Sequence, residues 1–344
     1  MLKKALICSI FFGFCFGVKA QTFGNEWINY SQKYYAFNIV QSGIHKITYQ
    51  NLLSAGIPVS GIPINTFQIF GRQKEQALFI PDDGNNLLDP NESIYFYAEK
   101  NDGWLDSTLY NNPAWLGNPE YSLYNDTIRY FFSWTNGTPG LRYTPETDVD
   151  FVSYQPAPFI WFEKNLLNTQ AYHEGESSAQ SASSLFVNGE GWGSAMQNGA
   201  NGYTWNYSAT SLDNLYTGLN SPPVRLKSVM VGGSNAYSPN LYNHHSRLTV
   251  GSNNTVVLDT LTIGYTAIPI DKQIPISAFA ANGSTNFKVN IIGDLGVATD
   301  YQSVNYWSFT YPRTLSLGGA NKSEFLVPNA TSQPKSKLTL SNVS

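Results

Sequence analysis

Between residues 224 and 311 the chain is a succession of short apolar runs, each stopped by turn residues before a helical period can develop. The runs cover 224–231, 246–250, 255–258, 273–276, 286–292 and 303–311, and between them stand Gly232-Gly233, Gly251-Ser252-Asn253-Asn254 and Asn282-Gly283-Ser284. Gly and Asn accept the left-handed backbone of tight turns, so the stretch reads as strands that reverse on one another. Strands of this length and spacing are those of an antiparallel sandwich, here of jelly-roll type. No segment recurs at the ~20–50-residue period of solenoids and propellers, which argues against both.

Composition supports an all-β reading with two antiparallel β domains. Charged residues are 13% of the chain and aromatics 15%, whereas an average domain is about 25% charged. Few Lys, Glu and Arg with many Tyr, Thr and Asn is the balance of strands and turns. A first domain over 21–157 is expected to hold runs at 34–40 and 44–48, flanking Gln41-Ser42-Gly43 as a hairpin loop. Residues 50–55 form one or two helical turns ended by Gly56, and strands follow at 66–70, 76–80, 93–98 and 126–134. Pro139, Pro145, Pro156 and Pro158, with Gly137 and Gly140, mark the domain boundary. The second domain, 158–313, is the jelly-roll-like sandwich, with a small-residue loop at 177–184. Residues 314–344 are expected to open a region leading onward, in which 325–329 through 338–341 read as strand, turn, strand.

Residues 1–20 have the form of a secretory signal: Lys3 and Lys4, an apolar stretch over 5–18, then Val18-Lys19-Ala20. The protein is therefore expected to be exported. Without the three lysines of that segment, 17 basic residues face 24 acidic ones, a net charge of −7. This argues against nucleic acid or an anionic membrane surface as partner. Both cysteines, Cys8 and Cys15, lie in the leader, so residues 21–344 hold no disulfide, thiolate metal site or cysteine nucleophile. Cys15 lacks the small preceding residue of a lipidation site. Beyond the leader no apolar run reaches the ~20 residues of a membrane span.

No cofactor is required by the sequence; the one candidate is Ca²⁺. The acidic turn 82–92 is rich in the oxygens that a hard cation favours, with Asp82, Asn85 and Asp89 as candidate ligands. Its spacing misses the calcium-loop pattern, and the structural reading, a pair of Asp/Gly/Asn turns that end one strand and start the next, accounts for it better. His244 and His245 are adjacent, and strand neighbours point to opposite faces, so they cannot share an ion without a bulge. His173-Glu174 has no second histidine four residues on. No nucleophile elbow and no phosphate cradle is present. Trp104, Trp115, Trp192 and Trp205 sit beside Gly, Asn or Pro and offer either a sugar-stacking platform or plugs between loop and sheet.

Several phrases together resemble the amino-terminal, non-catalytic region of PorU-type proteins, the gingipain-like cysteine peptidases that act as sortases of the Bacteroidetes type IX secretion system. They are Tyr35-Ala36-Phe37-Asn38-Ile39 with Gly43-Ile44-His45-Lys46-Ile47, Phe67-Gln68-Ile69-Phe70-Gly71, residues 92–107 from Glu92-Ser93-Ile94-Tyr95 to Trp104-Leu105-Asp106-Ser107, and Phe309-Thr310-Tyr311-Pro312-Arg313. The resemblance implies that the peptidase's catalytic His and Cys lie beyond residue 344, and no family catalytic residue maps onto this sequence. It implies peripheral placement at the outer membrane or cell surface, or release as a secreted protein. The implied partners are the carboxy-terminal signal domains of secreted cargo and other type IX outer-membrane components. In this reading the segment docks cargo and braces the peptidase domain. The alternative is a secreted adhesin or carbohydrate-binding sandwich.

Overall fold

The computed structural model describes residues 24–150, 152–176, 185–206, 210–320, 323–328 and 335–343. The leader at 1–20 and the small-residue loop at 177–184 lie outside the described residues. The fold is all-β and divides into two compact units: one contains residues up to Lys100 together with Thr127–Pro145, the other Asn101–Asp126 with Glu146–Ser344.

The first unit holds β1 (Tyr35–Ile39), β2 (Gly43–Thr48), β3 (Phe67–Gly71), β4 (Lys74–Gln76), β5 (Leu78–Phe79), β6 (Ser93–Ala98) and β7 (Ile128–Trp134). They form two sheets, ordered β1-β7-β3-β4 and β2-β6-β5. The runs flanking Gln41-Ser42-Gly43 do form strands, but they do not make the expected hairpin. β1 pairs with β7 and β2 with β6, so the chain crosses from one sheet to the other. Two strands paired locally bury only one face, whereas strands in opposed sheets enclose a core. Phe37 of β1 meets Phe96 of β6 edge to face at 5.9 Å, and Ile39, Phe67, Ile69, Ile94, Phe96 and Phe132 fill the space between.

The helical turn is α1 (Tyr49–Ser54). Thr48 caps it reciprocally with Asn51: the Asn51 amide N–H donates to Thr48 Oγ1 at 3.1 Å, and the Thr48 N–H donates to Asn51 Oδ1 at 2.9 Å. Gly56 follows at φ +70°.

The second unit holds β8 (Ile160–Leu167), β9 (Ala171–Glu174), β10 (Glu190–Gly193), β11 (Gln197–Asn198), β12 (Tyr203–Asn206), β13 (Thr210–Ser211), β14 (Val224–Gly232), β15 (His244–Val250), β16 (Thr255–Thr262), β17 (Ala267–Ile274), β18 (Ser284–Thr285), β19 (Phe287–Ile291) and β20 (Tyr301–Arg313). Its main sheets run β11-β20-β14-β17, with β8 also on β20, and β12-β19-β15-β16. This order, in which first and last strands are neighbours and the chain alternates between sheets, is that of a jelly roll. The core between the sheets is built from Leu226, Met230, Leu248, Phe287, Trp307 and Phe309 among others.

β17 begins six residues before the 273–276 run read from the sequence. It includes Pro269 opposite Val229, which an edge strand tolerates because one side of its ladder is open. The described residues of 314–344 make isolated bridges, Leu326 to Trp161, Lys337 to Pro156 and Ser341 to Ser316, and no strand is formed among them.

Residues 101–126, within the 21–157 span of the sequence reading, lie in the second unit. Tyr110 donates its hydroxyl to the Glu190 carbonyl at 2.9 Å, and the Phe186 amide donates to the Leu109 carbonyl at 3.0 Å. Buried Asp106 accepts the Leu123 amide N–H at 2.7 Å, closing the segment on itself.

Gly71 ends β3 where the chain passes the Tyr130 ring, and a Cβ there would come within 2.0 Å of it. Gly71→Ala is expected to force that ring out of its packed position, at a cost of about 1–3 kcal/mol, measured as the shift in urea unfolding midpoint.

Candidate functional site

The acidic turn is held by its own hydrogen bonds. Asn86 donates its amide N–H to the Asp82 carboxylate at 3.2 Å, Asn85 its amide N–H to Asp83 Oδ1 at 3.2 Å, and Leu87 its amide N–H to Asn85 Oδ1 at 2.7 Å. Glu92 reaches back across the loop, accepting the Asp83 N–H at 3.2 Å and the Asp89 N–H at 2.9 Å. Of the three residues singled out from sequence, Asn85 and Asp89 meet, while the Asp82 carboxylate takes the Asn86 N–H. Asn85 turns its amide nitrogen to Asp89 Oδ2 at 2.8 Å, so the pair is satisfied as donor and acceptor. The carboxylates that converge are Asp82, Asp83 and Glu92, within 4.8 Å of one another. A hard cation taking oxygen ligands would be held by that trio, a grouping hidden in the sequence because Glu92 returns to the loop's start only through the turn.

A second feature lies on the outer face of the β2-β6-β5 sheet. Alternation along β6 sends Ile94, Phe96 and Ala98 inward and Tyr95 and Tyr97 outward. The register sets Ile44 opposite Tyr97, and Lys46 and Phe79 on either side of Tyr95. Ile44 is 78% exposed, Phe79 50% and Tyr143 49%. Together with Tyr95 and Tyr97 they line a shallow groove of about 300 Å³, almost wholly carbon. The Lys46 ammonium stands 5.8 Å from the Tyr95 ring centre.

The tryptophans proposed as a sugar platform lie elsewhere, and all four are half-buried. Trp192 is clasped edge to face by Tyr172 at 5.4 Å and Tyr121 at 6.3 Å, and donates its indole N–H to the Leu123 carbonyl. Trp205 packs on the sandwich core. The signal that finds the groove is instead the alternation Ser93-Ile94-Tyr95-Phe96-Tyr97-Ala98, which places large aromatics on both faces of one strand.

The histidine pair behaves as strand geometry requires. His244 is enclosed, with Nδ1 2.6 Å from Asp300 Oδ1 and Nε2 2.9 Å from the Ser234 carbonyl. His245 faces out between Asp259, 2.6 Å from Nε2, and Asp294, 2.9 Å from Nδ1. Burial lowers the His245 pKa, but the hydrogen bonds and charges of Asp294 and Asp259 outweigh it and the net shift is upward. His173, pushed down by burial, has Nε2 2.9 Å from the Ser194 carbonyl and 3.2 Å from Ser303 Oγ. That serine is fully buried and donates to the Ser194 carbonyl itself, so the pair is structural.

No known family's sequence profile matches the chain, and no curated protein sequence matches it at a significant level. Among solved structures it is similar to dimeric latent PorU from Porphyromonas gingivalis, with a TM-score of 0.45 and 11% identity over 83% of this chain and 25% of that one. It is similar to the carbohydrate-binding module CBM36 in complex with calcium and xylotriose, at a TM-score of 0.19 and 18% identity over 33% of this chain and 98% of the module. It is also similar to the ANXUR2 extracellular domain from Arabidopsis thaliana, at 0.25 and 9% over 81% and 83%. The chain spans about a quarter of the PorU chain.

Glu92→Gln replaces an acceptor of two backbone N–H groups by one that presents its own N–H, and is expected to lower stability by about 1 kcal/mol, read from urea unfolding. Because the His245 pKa is raised on folding, its contribution is full below the unfolded value of about 6.5 and is lost as pH rises through the folded value. The stability difference between the parent and His245→Gln should therefore be larger at pH 5.5 than at pH 8.5, by less than about 1 kcal/mol for so open a cluster, in unfolding curves at both pH values.

Proposed function

We propose that this chain is a non-catalytic binding region of an exported PorU-like protein, and that it docks the carboxy-terminal signal domains of secreted cargo. The observation that carries the reading is the exposed apolar groove of Ile44, Phe79, Tyr95, Tyr97 and Tyr143 beside an edge strand. β2 ends its sheet, and among the described residues the backbone groups of Gly43–Ile47 make no hydrogen bond on the side away from β6, while Thr48 turns its N–H to Asn51. An extended segment pairing with that edge would lay alternate side chains toward the groove, the general mode of strand addition. Carbon-lined aromatic surface of this kind supplies the anchors of protein interfaces. The sequence phrases that resemble PorU-type proteins support the same assignment, with peripheral placement at the outer membrane or cell surface and other type IX components as neighbours. The peptidase chemistry belongs, in this reading, to a separate domain.

A secreted adhesin or sugar-binding module is the second reading, favoured by the aromatic rings themselves. It lacks the polar groups at the groove that would meet sugar hydroxyls.

Titration of the chain with a cargo signal domain and, separately, with polysaccharides distinguishes the two. Docking predicts saturation by the signal domain alone, weakened roughly tenfold or more in Ile44→Lys and Tyr95→Ser. Saturation by a polysaccharide alone would replace docking by the sugar-binding reading.

A further inference from the structure

Arg313 ends β20, and its side chain continues the inward-facing row of Trp307, Phe309 and Tyr311. It is buried, with a relative exposure of 7%. A guanidinium carries five N–H donors and stays charged, so enclosing one normally requires an acid or several carbonyls. The other arginines of the chain follow that rule where they are well enclosed or paired. Arg72 meets Glu99 at 3.2 Å, Arg225 meets Asp271 at 2.6 Å, Arg247 meets Asp259 at 2.8 Å, and Arg142 donates to the carbonyls of Phe67, Leu141 and Ile64.

Arg313 has no such partner among the described residues. Every Asp and Glu of the chain lies among them, and none forms an ion pair or hydrogen bond with it. The nearby Asp213 carboxylate faces Lys164 at 3.8 Å, and its carbonyl takes the Tyr311 hydroxyl at 3.2 Å. Arg313 Nε is enclosed and unbonded, and the terminal nitrogens form no hydrogen bond with any described residue. The compensation it does receive is the face of Phe162, 4.6 Å from the guanidinium carbon. A cation over a ring recovers about 1–2 kcal/mol and satisfies no N–H in the plane of the fork.

At Gly318 a Cβ would find only Arg313 and Asn214, whose terminal side-chain nitrogens would each be 3.8 Å away. Asn214 is exposed, and its side-chain amide is likewise unbonded among the described residues. Two donors, one of them a fixed positive charge, thus stand on either side of the Gly318 Cβ position, and neither side chain meets an acceptor among the described residues.

We propose that Arg313, with the Asn214 amide beside it, is a binding site for an oxyanion, a carboxylate or phosphate group presented at the end of the β20 inner face. Two parallel N–H groups of the fork match the spacing of two oxygens on such a group.

The test is an NMR titration of the full chain, following the arginine side-chain N–H resonances, with sodium acetate, inorganic phosphate and sodium chloride at matched ionic strength. The expected result is a saturable shift of the Arg313 signal with acetate or phosphate and none with chloride. The stronger of the two oxyanions identifies the group. Arg313→Met should weaken that binding at least tenfold. Asn214→Gly, which accepts the φ of 54° at this position and removes only the side-chain amide, should weaken it several-fold. If Arg313→Met does not fold, the parent titration with Asn214→Gly decides. A shift no larger than that from chloride, or saturation unchanged in Asn214→Gly and Arg313→Met, overturns the site and leaves the guanidinium hydrated by water.

Discussion

The second unit is organised around a single long strand. β20 carries thirteen residues, nearly all buried on both faces, and pairs with β14 along one side and with β11 and β8 in succession along the other. A strand this long, enclosed this fully, must satisfy its backbone in the ladder, because no water reaches it. Its inner side chains then set the core. Trp307 meets Phe287 edge to face at 4.5 Å, Phe309 meets the same ring at 5.6 Å, and Phe162 closes on Tyr311 at 5.8 Å. With no cysteine after Cys15, no disulfide supplements that packing in holding the sheets together.

The same dependence explains where polar chemistry sits. β20 also carries Gln302 and Ser303, and the residue before it is Asp300, all buried. Their side chains are consumed locally: Asp300 holds His244, Gln302 accepts from Ser246 Oγ at 2.6 Å, and Ser303 donates to the Ser194 carbonyl. Buried groups committed in this way rigidify a sheet, and they are not available for chemistry on a substrate. At Arg313 the row leaves the sheet with a charge instead of an apolar cap. In the first unit the balance is reversed. Its inner face is filled by Phe67, Ile94, Phe96 and Phe132, yet Tyr95, Tyr97 and Phe79 remain outside. That exposed apolar surface beside an edge strand is the feature on which the proposed docking rests.

Local signals in the sequence were legible where they act over a few residues. The run 93–98 coincides with β6, the turn at Gly56 ends α1, and the pattern from 224 onward is the jelly roll it suggests. His244 and His245 face opposite ways because strand periodicity leaves no choice. The readings that failed required knowledge of partners. Runs 34–40 and 44–48 form strands, but their separate sheets follow from a core reached by Phe96 and Tyr130, far along the chain. The run at 273–276 extends back to Ala267 in β17, because at the edge of its sheet the missing N–H of Pro269 is harmless. Of the acidic turn, the oxygen-rich composition was readable, whereas the convergence of Glu92 on Asp82 and Asp83 depends on how the loop closes.

By itself the sequence determined the class of structure: short β-forming runs, turn residues between them and few helix formers leave an antiparallel fold as the consistent outcome. It also determined which chemistry residues 21–344 lack, since no spacing can supply a thiol where no cysteine follows Cys15. Only the tertiary structure decided which strand lies beside which, which aromatic rings face outward, and which charged group has no counter-charge among the described residues. Those outcomes depend on contacts between residues as distant as Phe37 and Phe96, or Tyr110 and Glu190, and such contacts form only when the whole core closes.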